Sequence, residues 1–383
     1  MRVCYEHRKV WYKMSQKNER NSSVELLRIF GMLMIMSGHY VVHGGFPDFT
    51  YDTLSGAKVF LQIMSMYGSM ACSVYAMITG YYLIDVREGG SGYYKRIIPL
   101  ICEIYFYSIS IYILMCIINA DALTIKDLIR ALFPTIFGQW YVVYYLLLYL
   151  FIPYINMVLQ ALSKQEYFKL LIMIFVIWSI IQTASNNALN FGQFDFFVFT
   201  YTIGGFIKLH LKPLKPSGRS KCFILSVLLL ILISCSAIAF DCVGMLTKKN
   251  IFVSHYAYFR NYNMVLALSA AIVLVILATN INFTNKYINL IASSLIGVYL
   301  IHDNRTFRKW LWEGIWPNAD YVNNPFLHAP IKVLLVFLVC IVIDQIRKIL
   351  LERKIRMWLD KNWERVYQKL KLPFKSLFKY MDK

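Results

Sequence analysis

The sequence predicts an all-α fold: a polytopic membrane helix bundle of about ten transmembrane helices, with both termini cytoplasmic. Three observations carry this expectation. The 383 residues are 58% hydrophobic and only 16% charged, and a water-soluble domain of that size would need more polar surface to cover itself. Apolar windows of about twenty residues, the length that crosses a bilayer, recur along the whole chain. Lys and Arg also alternate between connecting segments. The termini and the segments near 85–96, 157–169, 208–221 and 283–286 hold 29 of the 40, the other segments hold 10, and Arg28, within the first span, is the one that remains.

The windows lie near 24–43, 59–84, 97–118, 137–156, 167–184, 194–211, 222–240, 263–282, 287–303 and 333–350. The basic segment 1–23 precedes them. The apolar run that follows is too long for a secretory signal and lacks a small-residue cleavage site, so this segment is expected to stay attached on the cytoplasmic side. LKPLKPSGRSK (211–221) is the sharpest cytoplasmic turn, and 123–136 reads as a short re-entrant or interfacial helix. The membrane domain is expected over 24–350 and a basic amphipathic tail over 351–383. In the tail, Leu359, Trp363, Val366 and Leu370 recur at helical spacing among Lys and Arg, the pattern of a helix on an anionic leaflet. The formal charge of +19 is concentrated at the two ends. That is a cytoplasmic membrane signature and argues against nucleic acid as a partner. The eight cysteines show no CxxC spacing, so they read as small buried hydrophobes, and no metal is expected.

The first span carries the most informative charges. At about 100° per residue, the eleven steps from Arg28 to His39 make three turns plus about 20°, so both side chains share one helix stripe, along with Glu25 and Met32. At about 1.5 Å per residue, His39 sits roughly 16 Å above Arg28, which puts Arg28 near the cytoplasmic mouth and His39 at or beyond the membrane centre. Ionisable groups at that depth face a bundle interior or a water-filled cavity. Neutral imidazole is the side chain suited to taking a proton near pH 7. The plain alternative for Arg28 is pairing with Glu25 and snorkelling to the headgroups.

An Arg, ten residues, then a His in the first span, preceded by RNSSVELLR, resembles the bacterial membrane acyltransferase family three. AMITGYYL (76–83) is similar to that family's small-residue turn ending the second span, and YYKRIIPL (93–100) to its basic entry to the third. GQWYVVYYLLLYLFIPYIN (138–156) resembles its Trp-Tyr span, and IGVYLIHDN (296–304) a late span of its capsule and exopolysaccharide members. One departure stands out: many members have two arginines three residues apart before the third span, whereas here Tyr93 stands three before Arg96 and Lys95 adjoins it. Lysine lacks the bidentate fork of arginine.

The resemblance implies an integral-membrane O-acetyltransferase of the bacterial plasma membrane. It would use cytoplasmic acyl-CoA, most often acetyl-CoA, as donor substrate and a cell-surface or lipid-linked carbohydrate as acceptor, with no permanently bound cofactor. On that reading His39 and Arg28 are the catalytic residues, with His39 as general base, and Arg28, Lys95 and Arg96 hold the donor's phosphates, with direct transfer and a transient acyl-histidine both open. Glu25, Trp140, Tyr141, His302 and Asn304 are candidates to contact the substrate, Glu25 also neutralises Arg28, and His43 reads as solvated. Trp310, Trp312 and Trp316, in the external segment 304–330, are interface anchors or an aromatic platform for sugar. The competing class is a transporter or flippase of lipid-linked saccharides, since intramembrane charges also mark substrate paths; the absence of an internal repeat speaks against it. A non-catalytic sensor or assembly partner would leave the shared stripe unexplained.

Overall fold

A computed structural model describes residues 20–52, 54–86, 91–189 and 191–381, with the backbone alone given for Ser91 and 370–381. The basic segment 1–23 up to residue 19, Arg87 and the Leu370 side chain lie outside the described residues. Within them the chain is about 80% helix, without a strand. Eight helices are long and apolar enough to cross a membrane: Ser22–Val42, Gly56–Leu83, Gly92–Ile118, Trp140–Ala161, Lys164–Ser185, Pro216–Thr247, Asn250–Thr279 and Pro325–Lys369. These cover eight of the ten expected windows. The window at 194–211 falls on Gln193–His210, a helix of 18 residues, and the one at 287–303 on two short helices, Lys286–Ala292 and Leu295–His302. Large apolar side chains such as Ile117, Leu246 and Leu327 stand more than 70% exposed on the outside of the bundle. Lipid tails accept such a surface and water does not.

Helix α1 (Ser22–Val42) starts where the Asn21 side chain accepts from the Ser23 amide, with Glu25 in the first turn, both favourable to an N-terminus. The second span is broken into α2 (Gly56–Ser65) and α3 (Gly68–Leu83). The small-residue turn expected at 76–83 is not a turn: those residues are helical, and Gly80 serves a helix crossing. α3 packs most extensively against α4 (Gln193–His210). At the crossing a Cβ on Gly80 would strike the Tyr201 carbonyl, and one on Gly204 the Met77 carbonyl. Small residues let the two backbones approach this closely.

The helix pair at 286–302 breaks at Ser293–Ser294. From helix α7 (Pro325–Arg347) and the residue after it, Gln345 donates to the Ser294 hydroxyl at 2.7 Å, and the Lys348 ammonium lies 2.9 and 3.1 Å from the two serine hydroxyls and also meets the Ser293 carbonyl. These groups satisfy polar atoms that the break exposes, which backbone at membrane depth requires. The two halves are α5 (Lys286–Ala292) and α6 (Leu295–His302). No gap separates the last span from the tail: the helix runs through a π turn, Lys348–Glu352, into Arg353–Met381, and Leu359 and Trp363 are buried. The segment 123–136 holds an amphipathic helix, Ile125–Leu132, closed by Thr124 and Asp127. All seven described cysteines are free. Cys72 and Cys340 are buried as expected, whereas Cys116, Cys235 and Cys242 face outward.

Candidate active site

A cavity of about 490 Å³ opens among the first, second and Trp140–Ala161 spans, and Arg28 and His39 both line it. The stripe read from helical spacing is therefore a cavity wall. Trp140 and Tyr141, at the start of their helix, line it too.

Arg28 is held from two sides. Its Nη1 donates to the Glu25 carboxylate at 2.7 Å, and its guanidinium lies 5.8 Å from the centre of the Tyr75 ring, whose hydroxyl donates to the Arg28 carbonyl at 2.6 Å. Glu25 is buried beside the cavity, so it neutralises and orients the arginine as expected.

His39 has a defined tautomer. His302 is fully buried at the end of α6, and its Nδ1 lies 2.7 Å from the Val298 carbonyl. A carbonyl only accepts, so that nitrogen carries the proton and His302 Nε2 is left as an acceptor. His39 Nδ1 stands 3.1 Å from that Nε2 and must donate to it. The consequence is a lone pair on His39 Nε2, which has no hydrogen-bond partner among the described residues. A base oriented by a third group is the arrangement general-base chemistry needs.

Asp303 lies behind the two histidines that line the cavity, 3.7 Å from His39 Nδ1 and 3.8 Å from His43 Nε2, with Arg308 Nη1 at 3.3 Å. These three ligand-type atoms fall within 4.8 Å of one another, close enough for a metal ion, but the Arg308 guanidinium already sits on the same carboxylate oxygen. The carboxylate also offsets positive charge formed on His39.

Other expected residues are placed differently. His302 and Asn304 do not line the cavity. His302 stands behind His39, and Asn304 is buried, with its side chain accepting from the Thr306 amide at 3.0 Å. Lys95 pairs with Asp360 of the tail at 2.7 Å and Arg96 is exposed; neither lines the cavity, though Leu100, one turn beyond Arg96, does. His43, expected to be solvated, lines the cavity 5.1 Å from the His39 ring. Its spacing of four from His39 was the available signal. Trp312 is fully buried against Tyr40 and His302, while Trp316 is partly exposed, so the tryptophans of 304–330 do not form one platform. Asp303 lies within the IHDN stretch the sequence singled out, whereas Arg308, Tyr75 and Arg260 had no sequence signal marking them as neighbours of the cavity, since the two arginines come from distant segments and Tyr75 is one aromatic among many.

No curated relative and no solved structure matches the chain. Residues 21–345 match the family described as an acyltransferase domain, acyltransferase family three. That stretch begins at the cap of the helix bearing Arg28 and His39 and ends in the helix whose polar side chains brace the break before His302. With most of its length under that match, the chain belongs to acyltransferase family three and is a multi-pass membrane acyltransferase.

Proposed function

We propose that the protein moves an acetyl group from cytoplasmic acetyl-CoA to a hydroxyl of a cell-surface or lipid-linked carbohydrate at the bacterial plasma membrane, with His39 as general base. The observation that supports this best is that His39, oriented by His302, shares one cavity with Arg28, roughly 16 Å away along the same helix. In this reading the acceptor hydroxyl gives its proton to His39 Nε2 as its oxygen attacks the thioester carbonyl. The tetrahedral intermediate then collapses, the C–S bond breaks, and His39 returns the proton to the departing thiolate. The imidazolium that exists between these steps is stabilised by Asp303 and by its hydrogen bond to His302.

Arg28 attracts the anionic donor into the cavity, and Arg96, exposed one turn from the lining residue Leu100, meets its phosphates at the mouth. Lys95, paired with Asp360, contributes to that mouth only when the tail yields it. Trp140 and Tyr141 supply aromatic faces for the sugar. A transporter of lipid-linked saccharides gains no support from the family match.

The test is transfer of radiolabelled acetyl from acetyl-CoA into a saccharide fraction by membranes with and without the protein, using the host's surface glycans as acceptor. Label that depends on the protein supports the reading. No label with acetyl-CoA or longer acyl-CoA donors, despite good expression, contradicts it.

A further inference from the structure

The cavity wall carries charge of one sign. Its basic lining consists of Arg28, Arg260, His39 and His43, and no Asp or Glu lines it. Arg28 has its carboxylate in Glu25. Arg260 forms no ion pair among the described residues, and its side chain has no hydrogen-bond partner there.

The segment that carries Arg260 is held in place by its neighbours. Arg260 ends a short 3₁₀ turn, Tyr258–Arg260, in the segment that follows Pro216–Thr247. The Tyr258 hydroxyl donates to the Thr183 carbonyl, Asn263 donates to the Asn187 side chain at 2.7 Å, and the Tyr262 hydroxyl donates to Gln193 at 3.1 Å. Ser73 of α3 donates to the Tyr262 carbonyl at 3.4 Å, tying the segment to the cavity wall. The pinned backbone presents a half-buried guanidinium with no counter-charge to an apolar cavity, where it can offer N–H donors to an anion.

This segment joins spans at the end of the bundle where α1 finishes. Val42 and His43, at the close of α1, line the same cavity as Arg260, whereas Arg28 lies near the start of α1. Ser65, Gly68 and Ser69, around the break in the second span, add small polar positions to the lining, and α3 begins there without a side-chain cap.

Resting on the acyltransfer reading of this cavity, we propose that Arg260 recognises an anionic substituent of the acceptor, so that the substrate class is an acidic saccharide carrying a carboxylate or a phosphate. The donor's phosphates are met at the opposite end, by Arg28 and Arg96. An acceptor carrying an ammonium group is disfavoured, because no acid lines the cavity to meet it.

The experiment measures equilibrium binding to the full chain in detergent or nanodiscs, with four labelled probes: a uronate-bearing disaccharide, its carboxyl-reduced neutral counterpart, a phosphodiester-bearing disaccharide, and acetyl-CoA. Wild type, Arg260→Met and Arg260→Lys are compared. The expected result is that at least one acidic disaccharide binds wild type about tenfold or more tightly than the neutral one, the scale of a charge-assisted hydrogen bond. Arg260→Met removes that preference, Arg260→Lys keeps part of it, and acetyl-CoA binds all three proteins alike, which also shows that the variants are folded. Whichever acidic probe is preferred identifies the substituent.

Equal binding of acidic and neutral probes by wild type overturns the proposal. So does a variant that loses acetyl-CoA affinity while its preference among saccharides is intact, since Arg260 then serves the donor. If the Arg260-dependent preference holds but no acyl group is transferred from any acyl-CoA, the acyltransfer reading fails while the anion site stands.

Discussion

At the residue scale the informative pair is a histidine on a histidine. His302 fixes which nitrogen of His39 carries the proton, and it does so because its own Nδ1 is committed to the Val298 carbonyl. His302→Ala is expected to lower kcat by roughly a hundredfold or more, in the range of lost acid–base catalysis, with little change in KM for the donor; acyl-CoA kinetics of the variant in membranes check this. Arg28→Ala is expected to raise KM for acyl-CoA by about tenfold, the value of one charge-assisted contact, and to affect kcat less. A variant that loses only kcat would place Arg28 in the chemistry itself. The shared stripe of Arg28 and His39 was legible in the sequence because helical periodicity alone fixes which side chains of one helix face the same way. His302 was found as a candidate to contact the acceptor, and the structure places it behind His39, outside the cavity lining. Its contact with His39 spans 263 residues, and no local pattern reports which end of a late span returns to the first.

At the element scale two devices position the site. The α3–α4 crossing depends on Gly80 and Gly204 lying against facing backbone. Gly204→Val is expected to force the helices apart and cost on the order of 1–3 kcal/mol, as overpacking does; it is read as a lower melting temperature in detergent, and an unchanged value would show that the crossing tolerates a side chain. The second device is the ion network beside α6. Asp344 accepts from Arg347 at 2.9 Å and Tyr107 at 2.9 Å and pairs with Lys348 at 3.0 Å, while Arg347 also reaches Glu103 at 3.1 Å. Removing one partner leaves buried charges uncompensated, so Asp344→Asn is expected to destabilise the protein by about 3–5 kcal/mol. Expression and thermal unfolding measure the effect. In the sequence, Arg347 and Lys348 were counted with the basic C-terminal end, because charge counting cannot distinguish a solvated run from one folded back on Ser293 and Glu103. Span 287–303 read as one helix for a related reason: the Ser-Ser break is sustained by Gln345 and Lys348, fifty and more residues away. Six of the other windows, strongly apolar and long, were placed well because length and hydropathy suffice for them.

At the scale of the whole molecule, transfer from a cytoplasmic donor to a surface acceptor needs the two ends of the cavity to face opposite sides of the membrane. The distribution of Lys and Arg predicts that 211–221 is cytoplasmic and that the segment carrying Arg260 is external. Fusions of a reporter active only outside the cytoplasm are therefore expected to be active after residue 256 and inactive after residue 217; the reverse pattern would turn the bundle over and separate the donor from Arg28. The count of crossings and the two-ended cavity depend on Gln193–His210 and on the broken pair at 286–302, which lie among the windows where hydropathy says least and packing most. The central claim is that acyl transfer passes through His39 inside that cavity. Its most direct measurement is incorporation of radiolabelled acetyl from acetyl-CoA into saccharide by vesicles reconstituted with equal amounts of wild type or His39→Ala, each shown to be folded by its melting temperature. The expected result is label with wild type and a background level with His39→Ala, whereas comparable incorporation by the two proteins would contradict the account.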